Sequence, residues 1–407
     1  MPSTDPSDIR ILVIDKTAVL PHVRDRWRRV AEQGRFVVTL LAPREWIENG
    51  VRYRLDESRT DRLIPIAGRT LFTGAELRGV YLSGAVKAFR SSRPDVVVMM
   101  EESFAMFGLQ AALLRRLFAP RAPLIFYCNL ITSYSLPGYR LAPLYRWIAR
   151  RVTPRAARAL CVNERALAVL DASGFDVPAR ILFYGIDESR FVESDQQPAR
   201  DAIGIEREGT TILYLGRLLE LKGIDDLIDA VARRRSLRPD ERLRLMIVGS
   251  GPYREQLLRR INEAGLDNVA IVREAVPIDR VPAYIAAADI LVLPSRAAIN
   301  EQLGRVLVEA MFMGRLVIGS TSGGIPEVIE EGGYIFRADD PDDLHDAIAR
   351  AIDDPAESER RRRLGQARAL QRYSTGGFVE GFVGLIGEMI GELTGRTPKS
   401  ERVGKGS

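Results

Sequence analysis

Short apolar runs alternate with amphipathic stretches along almost the whole chain. Residues 9–15, 36–42, 95–100 and 123–128 are runs of the buried-strand type, and 23–33 and 104–117 read as helices. Residues 144–151, 154–157 and 164–173 read as helical, with a strand at 159–162 among them. Such alternation predicts a parallel sheet with helices on both faces. The pattern then begins again. Strands are predicted at 211–215, 243–248, 269–272, 290–293, 316–318 and 333–336, each followed by a helix or a helix cap, among them helices at 223–235 and 253–265. Asp340-Pro341-Asp342-Asp343 opens a helix over 344–352, where acidic residues suit the positive end of the helix dipole. Capping, rather than metal binding, is the expectation for these aspartates. A last helix over 375–393 sets Phe378, Phe382, Leu385 and Met389 on one face, although five glycines weaken it.

The length of 407 residues exceeds one ordinary core, so two domains of roughly 180–200 residues are expected. Hydrophobic content of 46% and charged content of 28% are globular and exclude a disordered chain. The start, residues 1–10, lacks the apolar core of a secretory signal, and no run approaches a membrane span. Cys128 and Cys161 both lie in apolar stretches and read as structural thiols of a reducing cytoplasm. His22 and His345 are the only histidines, which excludes a His-rich metal site; His22 reads as a surface residue at a helix start. The net charge of +5 comes mostly from arginine and suits phosphates, nucleotides or anionic lipids.

The candidate chemistry concentrates in the second half. Glu301 and Glu309 stand eight residues apart across a predicted strand-to-helix junction. On one helix that spacing would span about 12 Å, roughly the reach from the sugar to the ribose of a nucleotide-activated sugar. A helix N-terminus there offers N–H groups to a diphosphate. Arg217 and Lys222 follow the first strand of the second half, at the end where open α/β sheets bind ligands. As loop cations they are expected to contribute little to a core. Gly249-Ser250-Gly251 lacks the third glycine of a dinucleotide fingerprint, which disfavours an oxidoreductase.

The segment 296–324, with its Glu-x7-Glu, Glu309-Ala310-Met311 and the following Gly319 to Val328 stretch, resembles the retaining family-4 glycosyltransferases. So does Gly216-Arg217-Leu218-Leu219-Glu220-Leu221-Lys222-Gly223, which is similar to the family's Gly-Arg-Leu-x-x-x-Lys-Gly loop. The resemblance implies the GT-B fold: two Rossmann-like domains facing a cleft, with the C-terminal helix crossing back to the first. The domains would be 1–183 with 375–395, for the acceptor, and 184–374, for a nucleotide sugar, followed by a polar tail at 396–407. Ile181 to Asp187 followed by Phe191 resembles the family's hinge motif, with Tyr184 where asparagine is usual.

By the same resemblance Arg217 and Lys222 hold the diphosphate and stabilise its departure without a metal. Glu301 contacts the donor sugar, and Glu309 the ribose. Backbone N–H groups of Gln302, Leu303 and Gly304 face sugar and phosphate, and Gly251 borders the nucleotide. Glu301, Arg217 and Lys222 are the catalytic candidates. Glu274 and Ala275 stand where a glycine is common. The first domain departs further, lacking the family's glycine-rich loop and its His-Asp pair. Lys16, Glu101, Glu102 and Asn129, at predicted strand ends, remain acceptor-side candidates. The implied activity is retaining, metal-independent transfer from a UDP- or GDP-linked sugar to a glycan, a lipid-linked or a small-molecule acceptor. No cofactor and no nucleic-acid partner is expected. A sugar-phosphate synthase of the same fold and a catalytically silent sugar-binding or scaffold protein stay open. Residues 139–158 interleave six arginines with Tyr145 and Trp147, a pattern suited to peripheral contact with an anionic membrane at the inner face.

Overall fold

The computed structural model describes residues 8–48, 51–75, 77–130, 133–136 and 140–394. The polar tail at 396–407, most of residues 1–10 and Tyr139 lie outside them. The chain divides into two compact units between Tyr184 and Gly185 and again between Thr375 and Gly376; the last segment belongs with the first unit.

The first unit is built on a seven-stranded sheet. Its strands are β1 (Ile9–Ile14), β2 (Phe36–Pro43), β5 (Leu63–Gly68), β8 (Val96–Met99), β9 (Leu124–Cys128), β10 (Arg158–Cys161) and β11 (Ala179–Ile181). They lie in the order β11-β10-β9-β8-β1-β2-β5, every pair parallel. Two hairpins interrupt the chain, β3 (Glu45–Glu48) with β4 (Val51–Arg54) and β6 (Thr70–Leu71) with β7 (Val80–Tyr81). The crossover helices are α1 (Pro21–Ala31), α2 (Ala85–Ser92), α3 (Met106–Phe118), α4 (Ala142–Val152) and α5 (Glu164–Ala172). Central strands such as β2 are buried at every position, as a sheet covered on both faces requires.

Trp27 on α1 is fully buried and makes edge-on contacts with Phe378 and Phe382, at ring separations of 5.6 and 5.4 Å. Those phenylalanines belong to α14 (Thr375–Thr394), whose predicted face of Phe378, Phe382, Leu385 and Met389 is buried throughout. Arg26 beside it donates to Asp15 Oδ2 at 2.8 Å and to the Tyr184 carbonyl at 2.5 Å. One helix thus ties the end of β1, the last residue before the second unit and the C-terminal helix. Cys128 and Cys161 are buried free thiols.

The second unit repeats the architecture with β12 (Thr210–Leu215), β13 (Leu243–Val248), β14 (Ala270–Arg273), β15 (Ile290–Leu293), β16 (Leu316–Ser320) and β17 (Tyr334–Phe336). The parallel order is β14-β13-β12-β15-β16-β17. Helices α6 (Gln196–Ile203), α7 (Ile224–Leu237), α8 (Arg254–Glu263), α9 (Val281–Ala287), α10 (Arg305–Phe312), α11 (Ile325–Ile329), α12 (Pro341–Asp353) and α13 (Pro355–Tyr373) complete it. The Asp340 side chain accepts from the Asp343 N–H at 3.0 Å, so it caps α12. Among the described residues no cluster of acidic, histidine or cysteine side chains could hold a metal. No described helix is long and apolar enough to cross a membrane.

Truncating one of the two phenylalanines against Trp27 tests how firmly α14 belongs to the first unit. Phe382→Ala should cost about 3–5 kcal/mol by loss of buried area and creation of a cavity. Urea unfolding followed by tryptophan fluorescence reads it, and a shift under about 1 kcal/mol would contradict this packing.

Candidate functional site

Each sheet has one place where the strand order reverses. In the second unit it lies between β12 and β15, whose following loops leave in opposite directions; ligands of open α/β sheets bind outside the strand ends there. The loop after β12 carries Arg217 and Lys222, and the loop after β15 carries Glu301. Lys222 Nζ and Glu301 Oε2 form an ion pair across this point. Ser295 Oγ, just past β15, donates to the same oxygen at 2.9 Å. Glu301 is fixed from behind as well: its carbonyl accepts from the Gly324 N–H at 2.7 Å and its N–H donates to Ser322 Oγ at 3.3 Å.

The loops can approach so closely because of glycine. Gly223 has φ +65°, and a Cβ there would lie 2.0 Å from the Pro294 carbonyl oxygen. Only a residue without a side chain lets the Lys222 turn rest on the end of β15. Gly251 plays a similar part against the Arg217 loop. A Cβ on it would sit 2.1 Å from the Leu218 carbonyl, while the Leu218 N–H donates to the Ser250 carbonyl at 3.0 Å. Close loop packing therefore accounts for the glycine at 251.

Lys222 is only 8% exposed. The expectation of a loop cation that matters little to the core is corrected here. Removing it would strand a half-buried carboxylate, which costs more than losing a surface charge. Arg217 fits the expectation better: it is exposed and forms no ion pair with a described residue. Two cations of the same loop thus differ, one held by a counter-ion and one open to an incoming anion.

Glu301 and Glu309 do not share a helix. Helix α10 begins at Arg305, with Gly304 as its cap, so the helical 12 Å span does not apply and Glu301 sits in the preceding turn. Glu309 faces Arg305 one turn back, Oε1 to Nε at 2.9 Å. Burial pushes its carboxyl up, and the Arg305 guanidinium opposes that. Gln302 is exposed and Leu303 buried. Glu274 accepts from Ser250 Oγ at 3.0 Å, and the same hydroxyl accepts from the Ala275 N–H at 3.0 Å. Sequence reasoning missed the buried serines Ser295, Ser320 and Ser322. It also missed Arg296, which pairs with Asp226 at 3.3 Å at the start of α7. Their position at or just past strand ends was the available signal.

The first unit has a counterpart between β1 and β8. Lys16 Nζ lies 2.7 Å from Glu101 Oε2, again across the point where strand order reverses. Glu102 Oε1 accepts from the Asn129 N–H at 2.5 Å, and its other oxygen has no hydrogen-bond partner. All four acceptor-side candidates therefore stand at one end of this sheet. Burial pushes the Glu101 carboxyl up to about 7 against the pull of Lys16, and burial also raises Glu102. His22 lies half-buried at the start of α1.

The raised Glu101 value has a sign that can be checked. The folded unit keeps a proton that the unfolded chain releases near 4.5, so stability should fall as pH rises from there through about 7, then level off. Urea midpoints between pH 5 and 8 should show this slope in the parental protein and a flatter one in Glu101→Gln. Equal slopes would remove Glu101 as its source.

The profile described as Glycosyl transferases group 1 matches residues 195–370. An alpha-D-kanosaminyltransferase of Streptomyces kanamyceticus is 26% identical over 255 residues, 61% of this chain and 64% of that protein. A GDP-mannose-dependent alpha-(1-6)-phosphatidylinositol monomannoside mannosyltransferase of Mycobacterium tuberculosis is 32% identical over 263 residues, 61% of this chain and 66% of that protein. The matches thus span somewhat under two thirds of these relatives. Among solved structures, sucrose-phosphate synthase of Thermosynechococcus elongatus aligns with TM-score 0.68 at 17% identity, over 94% of this chain and 99% of that one. A UDP complex of Anabaena HepE aligns with TM-score 0.67 at 19% identity, over 93% and 100%.

Proposed function

With residues 195–370 belonging to the glycosyl transferases group 1 family and the chain having the GT-B fold, we propose that this protein is a retaining glycosyltransferase. It moves a sugar from a UDP- or GDP-linked donor to a glycan, a lipid-linked or a small-molecule acceptor, without a metal. The carrying observation is the Lys222–Glu301 pair at the switch point of the second sheet, beside an exposed Arg217. Such a pair is a preformed exchange site. A diphosphate arriving at Arg217 competes for the Lys222 ammonium and frees the Glu301 carboxylate for the donor sugar.

In the transfer itself the bond from the anomeric carbon to the β-phosphate oxygen breaks. A bond to the acceptor oxygen forms on the same face, and the leaving phosphate takes the acceptor's proton. Arg217 and Lys222 stabilise the charge that grows on that phosphate. Glu301 supports the positive charge developing on the sugar, and Glu309, with Arg305, faces the ribose. Lys16, Glu101, Glu102 and Asn129 serve the acceptor side. The reducing cytoplasm suits two buried free thiols, and peripheral contact with an anionic membrane belongs to the same reading.

Titration calorimetry with UDP and GDP tests the donor site. Arg217→Ala should lose roughly 10- to 100-fold in affinity for the preferred nucleotide, the equivalent of a charge-assisted contact worth about 1.5–3 kcal/mol. Glu309→Gln should weaken nucleotide binding, whereas Glu301→Gln should retain it and slow transfer. Unchanged affinity in Arg217→Ala, or the opposite ranking of the two glutamates, would displace the donor from this position.

Turnover should also persist in excess chelator, since the two cations take the place of a divalent ion. Loss of turnover that magnesium or manganese restores would overturn the metal-independent mechanism.

A further inference from the structure

The arginines of the first unit are distributed unevenly. From Ser103 through Asn163 the sequence holds nine arginines, no lysine and no acidic residue, a charge of +9 in a chain whose net charge is +5. This stretch includes α3 and α4, which pack beside each other. Both helices expose apolar residues: Leu113 and Leu117 on α3, and Leu144 and Trp147 on α4, with Trp147 48% exposed. Arg151 lies over the Trp147 ring, 5.2 Å from its centre. Basic residues beside exposed Leu and Trp are the combination that seats a surface at the boundary of headgroups and acyl chains.

A cavity of about 490 Å³ opens next to this face, between α4 and α5. Arg146 and Arg150 line it from α4 and Arg165 from α5, over a floor that includes Ala149, Val169 and Phe175. Arg146 donates to the Ser135 carbonyl at 2.9 Å, which orients it, while Arg150 and Arg165 are exposed. Three arginines line one opening, guanidinium groups bind phosphate through paired N–H donors, and the apolar floor suits the carbon attached to it.

We propose that this cavity receives the phosphate headgroup of an anionic membrane lipid, with Leu144 and Trp147 entering the surface beside it. A single membrane source is favoured because the charge is continuous with exposed apolar side chains, which a soluble phosphate would not need. The proposal sharpens the membrane contact in the functional reading to one surface. It is measured without donor or acceptor, so its failure and a failure of the transfer chemistry are separable.

The 407-residue chain is sedimented with vesicles of phosphatidylcholine alone and with vesicles in which phosphatidylglycerol replaces part of it. Binding should require phosphatidylglycerol and weaken as salt rises. Each basic side chain at an anionic surface contributes about 1 kcal/mol, so the triple change Arg146→Ala, Arg150→Ala, Arg165→Ala should lower partitioning roughly 100-fold. The double change Arg150→Ala, Arg165→Ala, at exposed positions that leave the Ser135 bond intact, should lower it about 30-fold. Arg238→Ala, Arg259→Ala, Arg280→Ala, an equal loss of charge in the second unit, should leave it unchanged.

Equal binding to phosphatidylcholine alone, or an equal loss in that control, would overturn the proposal. So would calorimetric binding of glycerol phosphate at the three arginines with no binding to vesicles, which would make the cavity a site for a soluble anion.

Discussion

The site in the second unit depends on a single electrostatic opposition, a lysine ammonium and a glutamate carboxylate held together at the mouth of a parallel sheet. Neither charge is well solvated, so each makes the other tolerable. The cost of separating them is what the surrounding structure is arranged around. Ser295 shares the carboxylate, the backbone of Gly324 and the hydroxyl of Ser322 fix the glutamate's main chain, and Gly223 lets the lysine's turn settle against Pro294. A ligand that carries its own negative charge beside a set of hydroxyl donors can replace both halves at once. A ligand with only one of those features would leave an unpaired charge behind. The proposed donor, a nucleotide joined to a sugar, has both features.

The same device recurs in the first unit, where Lys16 and Glu101 meet across the corresponding reversal of strand order. There the carboxylate is more deeply buried, and that burial pushes it up to about 7. Two sheets of the same topology thus present two lysine–glutamate pairs at corresponding points, one carboxylate more deeply buried than the other. Topology explains the recurrence: the first strand of each unit is flanked by an early strand and a late one, and polar side chains can gather only where their loops part.

Much of this was legible in the sequence where the signal was contiguous. The loop from Gly216 to Gly223 and the stretch from Glu301 to Glu309 are each a short run, and the fold they imply is the one observed. The apolar strands and the buried face of α14 were equally plain. The misses have physical causes. Strand β5 contains Pro65, which argues against a central strand, yet β5 lies at the sheet edge where a missing N–H is tolerated. Helix α6 was hidden in a polar segment with Pro198, which occupies its first turn, where proline does no harm. The burial of Lys222 and the pairing of Lys16 with Glu101 join residues 79 and 85 positions apart, and no local pattern reports such a meeting.

The chain enters and leaves the second unit at adjacent points, where Ile186 pairs with Ser374 and the Thr375 N–H donates to the Ile186 carbonyl at 3.0 Å. The second unit is therefore an insertion into the first, and order of synthesis matters. Trp27 leaves the ribosome early, but its partners Phe378 and Phe382 lie about 350 residues later, roughly 20–70 s of translation. The inserted unit has all its strands available before the host has its last helix. Until then the Trp27 indole has Asp15 for its N–H but lacks the two rings that cover its apolar face, so the host unit can close its core only after the inserted unit has been made.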